Sequence, residues 1–62
     1  MEFRKGQIFH LKTNPLRSFV ILDVNLDDRT ITYVMLRTNR TYTNYISDCV
    51  NTITNQWECY NP

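Results

Sequence analysis

A β-hairpin pattern between Phe19 and Arg37 constrains the fold of this chain more than any other feature of its sequence. Apolar residues occupy alternate positions on both arms: Val20, Leu22, Val24 and Leu26 on the first, and Ile31, Tyr33 and Met35 on the second. Alternation with a period of two is typical of strands with one buried face. The pattern therefore predicts two antiparallel strands joined by a short polar turn.

The loop between the arms sets the predicted register of this hairpin. If Asp27 and Asp28 form the loop, the cross-strand pairs are Val24–Ile31, Leu22–Tyr33 and Val20–Met35. Both apolar sets then face the core, while Phe19 and Ile21 point outward. A shift by one residue would turn one arm's apolar side chains to the other face.

Composition favours a β protein. The chain contains 62 residues with one glycine and no alanine, and it is rich in valine, isoleucine and threonine. Alanine is the strongest helix former, whereas β-branched residues fit a pleated surface. A chain of this length forms one domain with a small core, so we expect a single domain over residues 1–62.

Charge and hydropathy limit the classes of partner. The formal net charge is +1 at pH 7, without runs of like charge, and this argues against strong nonspecific binding to duplex DNA. No apolar stretch approaches the ~20 residues of a transmembrane helix, and the N-terminal residues lack the apolar region of a signal peptide. We therefore expect no membrane partner and a cytoplasmic location, which is the host cytoplasm if a bacteriophage encodes the protein.

The order of elements follows from the turn residues. Gly6 marks a turn with a backbone geometry or close packing that a side chain would hinder. The elements predicted after it are a strand at Gln7–Lys12, a loop at Thr13–Ser18, the hairpin, a turn at Thr38–Arg40 and a strand at Thr41–Tyr45.

The C-terminal third is predicted in less detail. Ser47 is expected to cap a single helical turn through Val50. A short closing strand is expected at Asn51–Thr54, and Trp57–Tyr60 form either a last strand or a packed tail.

This order of elements resembles that of small SH3-like barrels. The segments Lys5–Leu11 and Phe19–Val24 look like the opening of KOW-like and Tudor-like members, and they resemble small accessory proteins of bacteriophages. The resemblance implies an all-β fold, a small antiparallel SH3-like barrel of about five strands with one short helical turn.

Enzymatic and metal chemistry find little support in the sequence. His10, Cys49 and Cys59 show no spacing that is typical of a nucleophile–base pair or of zinc ligands. Asp27 and Asp28 are not followed by an EF-hand loop and serve as turn formers. We expect no catalytic residue, no metal site and no cofactor. Whether Cys49 and Cys59 form a disulfide stays open at this point.

A binding surface is the better-supported expectation. In the predicted register Phe19 and Ile21 either form an exposed apolar patch, cap a barrel end, or pack under the Asn14 loop or the C-terminal tail, and exposed apolar patches usually mark partners. Four residues near the second turn join it as candidate contacts: Arg37, Arg40, Tyr42 and Tyr45. Aromatic and arginine side chains are common at the energetic centres of interfaces. Trp57 either seals the barrel or anchors a partner.

Three functions are compatible with these features. The first is a non-enzymatic protein-binding module, a bacteriophage-type inhibitor or modulator that blocks or mimics a surface of a larger host or defence protein. The second is an SH3-like barrel that binds RNA or single-stranded DNA through the arginine and tyrosine cluster. The third is a nucleotide or small-molecule sponge that forms its pocket at an oligomer interface. Homodimerisation would cover exposed strand edges.

Overall fold

The computed structural model describes residues 2–61 and contains five strands and one helix. The elements are β1 (Ile8–Leu11), β2 (Asn14–Asn25), β3 (Thr30–Met35), β4 (Arg40–Tyr45), α1 (Ile46–Gln56) and β5 (Trp57–Cys59). All strands pair antiparallel in one sheet with the order β4-β3-β2-β1-β5. The prediction of a small all-β fold with about five antiparallel strands is confirmed.

A β-bulge at Leu22 changes the predicted register of the hairpin. Val24 pairs with Ile31 as predicted, but Ile21 pairs with Tyr33 and Asp23 pairs with Thr32. Leu22 is thus left without a partner, since two residues of β2 oppose one of β3. The predicted pairs Leu22–Tyr33 and Val20–Met35 are therefore wrong.

Because of the bulge, the residues of β2 that precede Leu22 face the opposite side of the sheet from the one predicted. Phe19 and Ile21 are 2% and 1% exposed, whereas Leu22 is 40% exposed. Because Leu22 is unpaired, Ile21 and Val24 both face the core although three positions separate them. The expectation that Phe19 and Ile21 form an outward patch is wrong, and these two side chains belong to the core.

Aromatic rings dominate this core. Phe9 stacks on Phe19 with ring centroids 5.0 Å apart, and Phe3 lies against Phe9 at 6.2 Å. Ile31 and Ile53 complete the buried set from β3 and α1. Large rings bury much apolar area each, which a chain this short needs.

The helix α1 is longer than the single turn that the sequence analysis predicted. It replaces the closing strand that was expected at Asn51–Thr54. Its buried and half-buried face consists of Ile46, Cys49, Val50 and Ile53. This is helical spacing at i, i+3, i+4 and i+7, and it outweighs the β preference of the individual residues.

The predicted cap of this helix is also wrong. The N-cap is Tyr45, which makes no side-chain capping hydrogen bond, and Ser47 lies inside the first turn. Asp48 is also in that turn, where a negative charge interacts favourably with the helix dipole.

The first loop differs from its prediction. Residues Asn14–Ser18 belong to β2, and only Lys12 and Thr13 form a turn. The pairing of β1 with β2 jumps from His10–Ser18 to Leu11–Asn14, so the three residues from Pro15 to Arg17 have no partner in β1. Proline lacks the amide proton that a regular ladder would use.

Three of residues 2–61 adopt a positive φ, and each lies in a tight turn. Gly6 has a φ of 91° with no atom within 4 Å of the place where a Cβ would stand, so backbone geometry explains this glycine. Arg29 and Asn39 have φ values of 57° and 59° at the last positions before β3 and β4.

The sheet has two open edges, β4 and β5, and α1 connects them. Every residue of β4 is exposed, whereas β5 is short and pairs with β1. Trp57–Cys59 thus form a strand, which was one of the two predicted alternatives for this segment. Nowhere in residues 2–61 does a helix have the length and apolar character needed to cross a membrane.

Candidate ligand-binding groove

A groove runs along the inner side of β3 and β4, and we call it the inner groove. It consists of two cavities that share Met35 and Tyr42 in their walls. The first cavity, of about 360 Å³, lies between these strands, α1 and Trp57. The second, of about 520 Å³, lies beside the turn from β3 to β4 and includes Arg17 and Arg37. The groove lies at the side of the sheet that β4 leaves open.

Aromatic rings form the floor of the inner groove. Phe19 contacts Tyr33 at a ring-centroid distance of 5.0 Å, and Tyr33 stacks on Tyr42 at 5.6 Å with an interplanar angle of 27°. Trp57 meets Phe19 edge-on at 4.8 Å. Exposure rises along this row from the buried Phe19 to Tyr42, which is 41% exposed. The row continues the core aromatics outward to a surface that a ligand can reach.

A hydrogen bond fixes the middle of this floor. The hydroxyl of Tyr33 donates to Oδ1 of Asn44 at 2.7 Å. Burial, followed by the charges of Cys49 and Tyr42, raises the pKa of Tyr33 above its ordinary value. The phenol therefore stays a neutral donor at physiological pH, and the ring is held by both stacking and hydrogen bonding.

Cys49 lies in the wall of the first cavity as a protonated thiol. Its Sγ is 3.7 Å from the carbonyl oxygen of Ile46, to which the thiol donates. Burial is the main cause that raises the pKa of Cys49, and the charge of Asp48 raises it further against the lowering effect of a backbone hydrogen bond. A thiol with a raised pKa is a weak nucleophile at neutral pH.

The remaining reactive groups lie apart from the groove. His10 contacts the carbonyl oxygen of Pro15 through Nδ1 and the ring of Tyr60. Cys49 and Cys59 are both free thiols. Among residues 2–61 no three His, Cys, Asp or Glu side chains cluster closely enough to hold a metal ion.

Charges are distributed unevenly along the inner groove. The second cavity contains two arginines, Arg17 and Arg37, and no acidic residue of the described chain lines it. Neither guanidinium forms an ion pair or a hydrogen bond with residues 2–61. The first cavity contains Asp48 and no basic residue. The groove is therefore basic at one end and acidic at the other.

The six residues that were predicted to form a partner-binding site do not lie together in the structure. Arg37 and Tyr42 line the groove, as does the inner edge of the buried Phe19. Ile21 lies in the core away from it. Arg40 and Tyr45 are exposed on β4 but line neither cavity.

Several groove residues were not part of the predicted site. They are Arg17, Tyr33, Met35 and Asp48, together with Trp57, for which the sequence left two roles open. The spacing of Ile46, Cys49, Val50 and Ile53 could have placed Asp48 on a helix beside the sheet. The pairing of Tyr33 with Tyr42 could have been found by continuing the hairpin register into β4. No sequence signal marks Arg17.

Comparisons with protein-family models, with curated protein sequences and with solved structures found no match to this chain.

Proposed function

We propose that this protein is a non-enzymatic protein-binding module whose inner groove accepts a short extended segment of a larger partner. The observation that carries the proposal is that Met35 and Tyr42 line both cavities. An aromatic floor with polar groups at both ends offers large contact area together with orientation, as in the energetic centres of many interfaces.

The rigidity of the groove floor supports this proposal. The hydrogen bond from the Tyr33 hydroxyl to Asn44 and the contact with the ring of Phe19 hold Tyr33 in place. Tyr42 therefore stacks on an immobilised neighbour. A contact surface that is ordered before binding loses less entropy when a partner binds. In this proposal the partner is a host or defence protein in the cytoplasm, and the module blocks it sterically, as the resemblance to bacteriophage accessory proteins implies.

A pull-down with matched variants tests the proposal. Tyr42→Ala removes the exposed ring of the groove floor, whereas Tyr45→Ala removes an exposed tyrosine of the same strand that lines neither cavity. We expect wild type and Tyr45→Ala to retain a stoichiometric partner from a lysate of the source cell, and Tyr42→Ala to lose it. Loss with Tyr45→Ala and retention with Tyr42→Ala would place binding outside the groove and contradict the proposal.

A second candidate function is binding of single-stranded nucleic acid. The stack of Tyr33 and Tyr42 favours it, together with Arg17 and Arg37, which have no ion-pair partner among residues 2–61, because bases stack on aromatic rings and phosphates pair with arginine. Asp48 in the same groove and a net charge of +1 weaken it. Titration with a mixed-sequence single-stranded oligonucleotide at low salt separates the two functions, because absence of binding there excludes this candidate.

A further inference from the structure

We infer that the inner groove recognises an acidic–apolar segment, in which an aspartate or glutamate carboxylate pairs with Arg17 and Arg37 and a bulky apolar side chain packs against Met35 and Tyr42. This inference rests on the proposed function and specifies the chemistry of the partner segment.

Arg17 and Arg37 line the same cavity, and neither forms an ion pair with residues 2–61. Phe19 pairs with Met35, and the amide of Leu36 donates to the carbonyl oxygen of Ser18 at 3.0 Å. These contacts keep β2 and the end of β3 together up to the positions of Arg17 and Arg37, which line the same cavity. Two like charges that line one cavity repel each other. An anionic group in the second cavity would remove that repulsion.

A carboxylate suits this position better than other ligands that a protein segment offers. Guanidinium groups present a planar fork of donors that pairs with carboxylates through two parallel hydrogen bonds. Both forks are free of other partners within residues 2–61. Ser18 and Thr38, which line the same cavity, add hydroxyl groups at its wall.

The apolar part of the segment follows from the residues that the two cavities share. Met35 and Tyr42 line both the cavity that contains the arginines and the cavity that contains the other floor rings, so a side chain next to a carboxylate bound at the arginines contacts them. Methionine adapts its shape to a neighbouring group, and tyrosine provides a flat apolar face. Leucine, phenylalanine or a similar side chain beside the carboxylate fits this surface.

The acidic end of the groove disfavours a polyanion as the occupant. A nucleic-acid strand along the groove would bring its phosphates toward Asp48, which has no basic neighbour in the first cavity. A protein segment can place its carboxylate at the arginines and neutral or basic groups at Asp48. Such complementarity fixes the direction of the bound segment more than it adds affinity.

A library of short random peptides displayed on yeast tests the inference. We expect peptides that bind the wild-type protein to be enriched in Asp or Glu next to a bulky apolar residue. For a synthetic version of a selected peptide, we expect Arg17→Gln and Arg37→Gln each to weaken binding about ten-fold or more, since hydrogen bonds to charged groups are among the strong ones.

Arg40→Gln is the matched control for both variants. It removes the same charge from an exposed residue that lines neither cavity, so we expect less than about a two-fold change, as for charges at the rim of an interface. Replacing the peptide's Asp or Glu by its amide should weaken wild-type binding and leave the double variant Arg17→Gln/Arg37→Gln almost unaffected, because the carboxylate then has no guanidinium in the second cavity to pair with.

The outcomes separate this inference from the proposed function. Selected peptides that need Tyr42 but lack acidic residues, or that bind Arg17→Gln and Arg37→Gln as tightly as wild type, overturn the inference and leave the binding module standing. A library from which no peptide binds overturns both.

Discussion

The ring of Tyr42 stacks on the ring of Tyr33 across β3 and β4, with centroids 5.6 Å apart and planes inclined by 27°. Tyr33 is in turn held by Phe19 and by its hydrogen bond to Asn44. Tyr42 therefore presents one face to the protein and leaves the rest of its surface at the groove. This arrangement couples the buried core to the surface that we propose for binding.

The Tyr33–Tyr42 stack should contribute little to stability and much to binding. Aromatic pairs add about 0.5–1.5 kcal/mol beyond their buried area. We expect Tyr42→Ala to lower the free energy of unfolding by an amount near this range in urea titrations, with the fold retained by circular dichroism. Complete unfolding of Tyr42→Ala would show that this ring belongs to the core instead.

The bulge at Leu22 makes neighbouring apolar residues of β2 respond differently to truncation. Ile21 is buried and Leu22 is 40% exposed. We expect Ile21→Ala to lower the free energy of unfolding by about 2–5 kcal/mol, as for other large-to-small changes in cores. Leu22→Ala is the matched control, and its effect should stay within about 1 kcal/mol.

The reverse order of these two effects would contradict the bulge. If Leu22→Ala were the more damaging substitution, β2 would have the unbroken alternation that places Leu22 opposite Tyr33. Chemical denaturation of both variants decides between the two registers.

The backbone at Arg29 is strained, and relief of this strain should stabilise the protein. Arg29 has a φ of 57°, in the left-handed region that costs a side-chain-bearing residue roughly 1–2 kcal/mol. We expect Arg29→Gly to raise the free energy of unfolding by about 0.5–1 kcal/mol, because glycine adopts this conformation freely but loses more entropy on folding. Asp27→Gly in the same turn, where φ is not positive, should give no gain.

Stability should fall in alkaline solution because of Tyr33 and Cys49. Both groups have a pKa that is higher in the folded protein than the ordinary value, mainly because of burial. The unfolded chain therefore releases these protons first, near pH values of about 8.5 for the thiol and about 10 for the phenol. Their contribution is fully present below these values and is lost as the pH rises through the folded-state pKa values.

Thiol alkylation measures the Cys49 part of this effect. In a Cys59→Ser background, the rate of alkylation by iodoacetamide should reach its midpoint at a higher pH in the folded protein than in urea. Equal midpoints in the two states would show that the environment of Cys49 does not favour the protonated thiol.

The sequence was sufficient to predict β1, the hairpin of β2 and β3, and β4, but it placed a strand where α1 lies and did not reveal which face of β2 is buried. Period-two alternation runs through Leu22 without a break, so the bulge leaves no mark in the pattern, and Phe19 and Ile21 were assigned to the wrong face. Bulges depend on how the whole sheet bends, which local residue preferences do not encode.

The length of the helix was underestimated for a different reason. Its sequence is rich in residues that favour strands or turns, and only the spacing of Ile46, Cys49, Val50 and Ile53 indicates α1. For the same reason, only some residues of the candidate site were predicted. Arg37 and Tyr42 were predicted from their residue types near a turn. Asp48 lies at the groove because α1 places it there, and Arg17 because of the irregular start of β2.

The central claim is that the inner groove is the binding surface. The most direct measurement is a map of backbone amide chemical-shift changes when a selected acidic–apolar peptide is added to the isotopically labelled protein. We expect the large changes at residues of the two cavities, among them Arg37, Tyr42 and Cys49, and small ones at Val20 and Thr43 on the opposite face of the sheet. Large changes confined to that opposite face, with the groove unaffected, would contradict the claim.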